Sequence, residues 1–220
     1  MGLETYHQEA EPGRLNAVGT WRGHGDGESL MFNGHVDTNP VTEGWTVDPW
    51  GGVVRDGFIF GIGVSNMKAG CMAYLQAVEE LQADGYRPRG DVVLTYVVGE
   101  LQNGIGTHSL MNSGLRTDHF VNCEPTDLQA LTAHAGAFNF QIDLFGSTRH
   151  VSKRDEGVDA IMVASEIVPR LNSLRFSGSI ADEHQRMIRC HVGVLHAALG
   201  RELNESRPPQ VADHAKLLGT

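Results

Sequence analysis

Cysteine is scarce in this chain: Cys71, Cys123 and Cys190 are the only three in 220 residues, far apart and odd in number. No zinc-ribbon or Cys-x-x-Cys redox spacing exists among them, so reduced, buried thiols in a cytoplasmic protein are expected. Basic residues are also few, 17 Lys and Arg against 27 Asp and Glu, for a formal net charge of -10. A nucleic-acid face needs clustered Lys and Arg, and an anionic membrane attracts the same groups; neither partner is expected. No window approaches the ~18 consecutive apolar residues of a membrane span. Residues 1–14 are polar and acidic, without the apolar stretch of a signal peptide. Internal repeats and low-complexity segments are lacking as well.

What is present suits a core: 40% hydrophobic and 20% charged residues, enough chain for one large domain or two modest ones. Histidine is abundant at 11 residues. His7, His24, His184 and His214 stand in polar surroundings and are expected at the surface.

Residues 1 to about 28 read as loop, with a turn at Gly23–Gly27. A strand over Leu30–Asn33 leads into Gly34-His35-Val36-Asp37. Two short strands follow, Val53–Val54 and Phe58–Phe60, bracketed by glycine turns. Ala69, Met72, Ala73, Leu75, Val78 and Leu81 keep a helical period up to the Gly85 stop. Asp91–Val98 is apolar and β-branched, as in a strand covered on both faces. A second helix is expected from Gly106-Thr107 to Gly114, then a strand over Phe120–Cys123. This alternation predicts an α/β unit with a mainly parallel sheet, polar groups gathering at the carboxyl edge. From about Leu128 the pattern changes. Ala137–Phe145 alternates, a helix spans Val158–Leu174 with Ile161, Ala164, Ile167, Val168 and Leu171 on one stripe, and Arg189–Leu195 alternates again. Two domains are therefore predicted, α/β over 1–127 and α+β over 128–220.

Chemistry-bearing groups fall at the element ends. His35 and Asp37, two apart on an extended chain, point to one side; one can ligate a metal while the other takes the remaining ring proton. A histidine capped at a loop start is the plainer alternative. Asn66, beyond Gly61 and Gly63, can cap a helix or set an oxygen beside a metal. Glu100 ends the apolar strand, where a carboxylate is costly unless used; it can activate water as a general base or simply face solvent. Glu124 is a further strand-end carboxylate. His150 can donate to a developing oxyanion or be a loop histidine.

In order and spacing this set resembles the co-catalytic zinc amidohydrolases that include acetylornithine deacetylase, succinyl-diaminopimelate desuccinylase, aminoacylase and glutamate carboxypeptidase. The matching motifs are Gly34–Asp37, Trp45–Trp50, Asp56–Gly63, Met67–Gly70, Glu124–Thr126, Gly146–His150 and Gly157–Ile161. The resemblance implies a zinc-peptidase-like parallel or mixed sheet with helices, incomplete here, followed by a ferredoxin-like lid that dimerises. It implies one or two zinc ions, with cobalt or manganese as substitutes, and hydrolysis of the amide bond of an N-acyl amino acid or small peptide. By the same resemblance His35, Glu124 and the position of Asn66 are metal ligands. Asp37 orients His35, Glu100 is the base and His150 the oxyanion donor.

Departures accompany the match. The family's bridging aspartate falls on Asn66, and the zinc-binding glutamate after the base falls on Leu101. An expected arginine-glycine is His134-Ala135-Gly136, and the last zinc histidine would lie beyond Thr220. The family's N-terminal helical region is largely missing, so a fragment of a longer enzyme is one reading of the chain. An inactive homologue acting as a ligand-binding or dimerising module is the alternative.

Overall fold

Two eight-residue strands, β1 (Glu4–Glu11) and β2 (Arg14–Trp21), form an antiparallel hairpin where the sequence reads as loop. The hairpin escapes pattern reading because β1 is a polar, largely exposed edge strand and β2 buries polar groups. Asn16 is fully buried: its amide donates to Gln8 Oε1 at 2.6 Å and to the Gly106 carbonyl at 3.0 Å, and accepts the Val98 N–H at 3.0 Å. Those bonds replace the apolar contacts that an alternating pattern would advertise. The computed structural model describes residues 2–176, 188–204 and 207–220; His184 lies outside them. Of the other histidines expected at the surface, His7 and His24 are exposed.

After the hairpin come β3 (Leu30–His35), β4 (Val53–Arg55), β5 (Phe58–Phe60), α1 (Ala69–Ala83), β6 (Val92–Val97), α2 (Ile105–Asn112) and β7 (His119–Asn122). The main sheet has the order β1-β2-β6-β3-β7. β3 runs parallel to β6 and to β7, whereas β2 is antiparallel to β6, so the sheet is mixed rather than mainly parallel. The unforeseen hairpin is the reason. Its carboxyl edge still gathers the ends of β3, β6 and β7.

β6 is covered on both faces, as its apolar run requires. Leu94 packs with Met67, Cys71, Tyr74 and Val78, largely from α1, while Val93 and Val97 pack with Val18, Met31 and Leu110 of α2. At its entrance Asp91 accepts the Gly23 N–H at 2.8 Å and pairs with Arg22 at 2.6 Å. The Gly23 N–H, assisted by Arg22, holds the Asp91 carboxyl below the usual carboxylate range. A depressed carboxyl contributes stability above its unfolded pKa of about 4, lost as the pH falls through the folded value. Asp91→Asn should therefore cost roughly 1 kcal/mol at pH 7. The gap from the parent should close in urea titrations below about pH 4; a gap unchanged down to pH 2 would refute this.

The chain divides into units Met1–Ala130 and Leu131–Thr220. In the second unit β8 (Phe140–Phe145), α3 (Ala160–Asn172), β9 (Val192–Ala198) and β10 (His214–Gly219) form an antiparallel sheet of order β8-β10-β9 with the helix on one face. Asp159 caps α3, accepting the N–H groups of Ile161 and Met162 at 3.0 and 3.3 Å. Ala164, Ile167 and Val168 face the sheet as predicted, but Ile161 is exposed and Ala160 takes its place. The central strand β10, flanked on both sides, buries Ala215 and Leu217. His214, expected at the surface, is buried with its ring centroid 4.9 Å from that of Phe145. Among the described residues no helix is long and apolar enough to cross a membrane.

Candidate metal centre

His35 is the last residue of β3, and the chain segments that follow β6 and β7 bring Glu100 and Glu124 to the same edge. Gly34 makes this possible, since a Cβ there would lie 2.5 Å from Cys71 Sγ and 3.1 Å from Met67 Cε. The helix α1 and the turn Val64–Lys68 before it can thus press against the β3 backbone. Gly70 lets α1 approach the end of β7 in the same way, its absent Cβ sitting 2.4 Å from the Cys123 carbonyl oxygen. The His35 N–H meets Met67 Sδ at 3.1 Å. Met67 was legible only as part of the Met67–Gly70 motif, which gave no sign of its contact with the His35 backbone. The Asn66–Met67 peptide bond is cis.

The His35 ring is almost wholly buried and held at both nitrogens. Nδ1 lies 2.9 Å from the main-chain carbonyl of Asp37, with the Asp37 carboxylate farther off at 3.6 Å. The ring proton therefore goes to the backbone. The Asp37 carboxylate instead accepts the N–H groups of Glu100 and Leu101 at 3.2 and 3.3 Å, tying the end of β3 to the end of β6. Hydrogen bonds to a charged acceptor are worth about 1.5–3 kcal/mol. In Asp37→Ala the amides of Glu100 and Leu101 should exchange with deuterium roughly ten- to a hundredfold faster. Unchanged exchange would show that the carboxylate holds nothing there.

A carbonyl accepts and never donates, so Nδ1 carries the hydrogen and Nε2 of the neutral ring turns a lone pair outward. It faces Asn66 Oδ1 at 2.9 Å, Glu124 Oε1 at 3.5 Å and Glu100 Oε2 at 3.9 Å. Four acceptor atoms thus converge, an arrangement that calls for a cation. Burial pushes the Glu124 carboxyl above the usual carboxylate range, and the nearby Glu100 adds to it. For metal–donor bonds of ~2.1 Å, neighbouring donors lie about 3.4 Å apart at the tetrahedral angle and about 3.0 Å at a right angle. The separations from Nε2 to Glu124 and to Asn66 match those edges, so each of these two oxygens could share an ion with the ring nitrogen. The Glu100 separation of 3.9 Å is longer than either edge. Among the described residues no three His, Cys, Asp or Glu side chains come together at ligand spacing.

A pocket of about 190 Å³ opens beside the ring, lined by His35, Asn66, Thr38, Trp45, Ile62 and Leu101. Thr38 carried no sequence signal and Ile62 only its place in the Asp56–Gly63 motif, because both enter the site from irregular loops. His150 belongs to the second unit. Its Nδ1 accepts the Ser152 N–H at 3.3 Å, capping the short turn Val151–Glu156, which puts the proton of the neutral ring on Nε2.

Fold and site define a class: an α/β protein with a histidine-lined pocket, and two glutamates beside that histidine, at the carboxyl edge of its sheet. The chain belongs to peptidase family M20/M25/M40, whose profile matches residues 31–215. Members of this family bind divalent metal ions, typically zinc. The chain is 30% identical over 164 residues to an acetylornithine deacetylase of Proteus mirabilis (strain HI4320), covering 74% of this chain and 42% of that protein. It is 33% identical over 124 residues to a succinyl-diaminopimelate desuccinylase 2 of Ruegeria sp. (strain TM1040), covering 53% and 31%. It thus spans less than half the length of these curated relatives. Among solved structures, a tripeptidase from Staphylococcus aureus subsp. aureus Mu50 superposes with TM-score 0.63 at 24% identity, over 99% of this chain and 56% of that one. An M20 family metallo-carboxypeptidase, Sso-CP2 from Sulfolobus solfataricus, gives 0.68 at 13% identity, over 100% and 62%. These two show the fold.

Proposed function

We propose that the chain acts as a metal-dependent hydrolase of the amide bond of N-acyl amino acids or small peptides. The observation that carries this is the convergence of His35 Nε2, Asn66 Oδ1, Glu124 Oε1 and Glu100 Oε2 at one strand edge. His35, Glu124 and Asn66 would hold a divalent ion, zinc or in its place cobalt or manganese. When bound, the ion supplies Lewis-acid polarisation of the amide carbonyl. Glu100, close by but off the ligand edges, takes the proton of the attacking water and passes it to the leaving nitrogen. Asp37 holds the Glu100 backbone in place for that transfer. By the family resemblance His150 would be an oxyanion donor, offered to the site of a partner subunit.

In the same reading residues 1–127 are the catalytic-type part, and the second unit is a ferredoxin-like lid through which two copies pair. The α3-covered sheet supports this, together with exposed Phe145, Leu218 and Val194 on the other face. Three free cysteines fit a cytoplasmic setting.

The test is an assay of purified protein on N-acetyl and N-succinyl amino acids and dipeptides. Hydrolysis should vanish on chelation and return with zinc. An ion-loaded protein that cleaves none of them would reduce the chain to a ligand-binding or dimerising module.

A further inference from the structure

We infer that the His35 pocket is a one-ion site, with Asn66 supplying an amide oxygen and Leu101 presenting hydrocarbon where a second ion would need a donor. The inference rests on the metal-binding part of the proposed function and narrows it. It follows from counting donors and charges around the ring.

Open catalytic zinc sites use about three protein donors for each ion. The side chains ranged around His35 Nε2 offer three oxygens, at 2.9, 3.5 and 3.9 Å. Together with the ring nitrogen they suffice for one ion with Glu100 left over. Of those oxygens only the two glutamates carry charge. The Asp37 carboxylate is committed to the amides of Glu100 and Leu101, and Cys71 Sγ to the His35 carbonyl at 3.6 Å.

Two dications about 3.5–4 Å apart repel with four times the Coulomb energy of a unit pair. Such a pair persists only with an anionic bridge. Asn66 occupies the nearest position to Nε2, but its amide is neutral and bridges poorly. Leu101 lines the same pocket and is half exposed, so Glu100 is the one donor side chain that the turn Glu100–Leu101 brings from the end of β6.

The probe is zinc or cobalt alone, added to the full chain in equilibrium dialysis and read by elemental analysis. One ion per chain is expected at saturation. Glu124→Gln should weaken that ion about tenfold or more, and Asn66→Asp should tighten it by a similar factor at unchanged stoichiometry. Asn66→Asp combined with Leu101→Glu should admit a second ion. Both positions are exposed, and far-ultraviolet circular dichroism checks that each variant folds.

Two ions in the parent protein, none at all, or one indifferent to both Glu124→Gln and Asn66→Asp would each overturn the inference. The readout needs no substrate. A chain that binds one such ion and hydrolyses nothing upholds the one-ion site while sinking the hydrolase reading. A chain active with two ions does the reverse.

Discussion

Glu100→Gln should lower turnover of an N-acyl amino acid about 10²–10⁴-fold, the range lost when a general base is removed. Glutamine keeps the shape of the side chain and the backbone N–H that Asp37 accepts at 3.2 Å. What disappears is the proton acceptor. Glu100 Oε2 lies 3.9 Å from His35 Nε2, beyond the ligand edges, so bound metal and KM should hardly change while kcat collapses. Parallel kcat, KM and metal measurements would separate this from a ligand role. A variant that retained a tenth of the parent rate would move the base elsewhere. Glu124 would then be the next group to test, since burial already raises its proton affinity.

The largest stability effect is expected at Leu94. It is fully buried on β6 among Met67, Cys71, Tyr74 and Val78, with Phe32 and Tyr96 packed alongside. Truncation there removes apolar contacts and leaves a void that stiff strands on either side cannot close. Leu94→Ala should cost about 2–5 kcal/mol and lower the melting temperature by roughly 6–15 °C. Ile59→Ala, on the exposed short hairpin, is the matched control and should cost less than about 0.5 kcal/mol. Equal losses at the two positions would mean that β6 is not the centre of the core. The Leu94 variant also probes function, because β6 delivers Glu100 to the site.

Much of the first unit was legible in the chain. Period and glycine stops announced α1 and α2, short apolar runs announced β3 and β7, and a β-branched run announced β6. Each of those strands ends near a histidine or a carboxylate, so His35, Glu100 and Glu124 stood out as candidates. The hairpin β1–β2 could not, because Asn16 buries itself by hydrogen bonding rather than by apolarity. Nor could β10, a short central strand whose partners lie far off in sequence, or the burial of His214 against Phe145.

By itself the sequence determined the strands and helices between β3 and β7, the acidic balance and the line of polar residues at one sheet edge. Local periodicity and turn chemistry act over a few residues, and that is enough for such features. The tertiary structure decided which groups touch. It brought Asn66 to 2.9 Å from a ring 31 positions earlier in the chain. It handed the His35 proton to a backbone carbonyl and turned the Asp37 carboxylate to amides 63 and 64 positions away. Those pairings depend on the register of parallel strands and on the close approach that Gly34 and Gly70 allow, which no local pattern encodes.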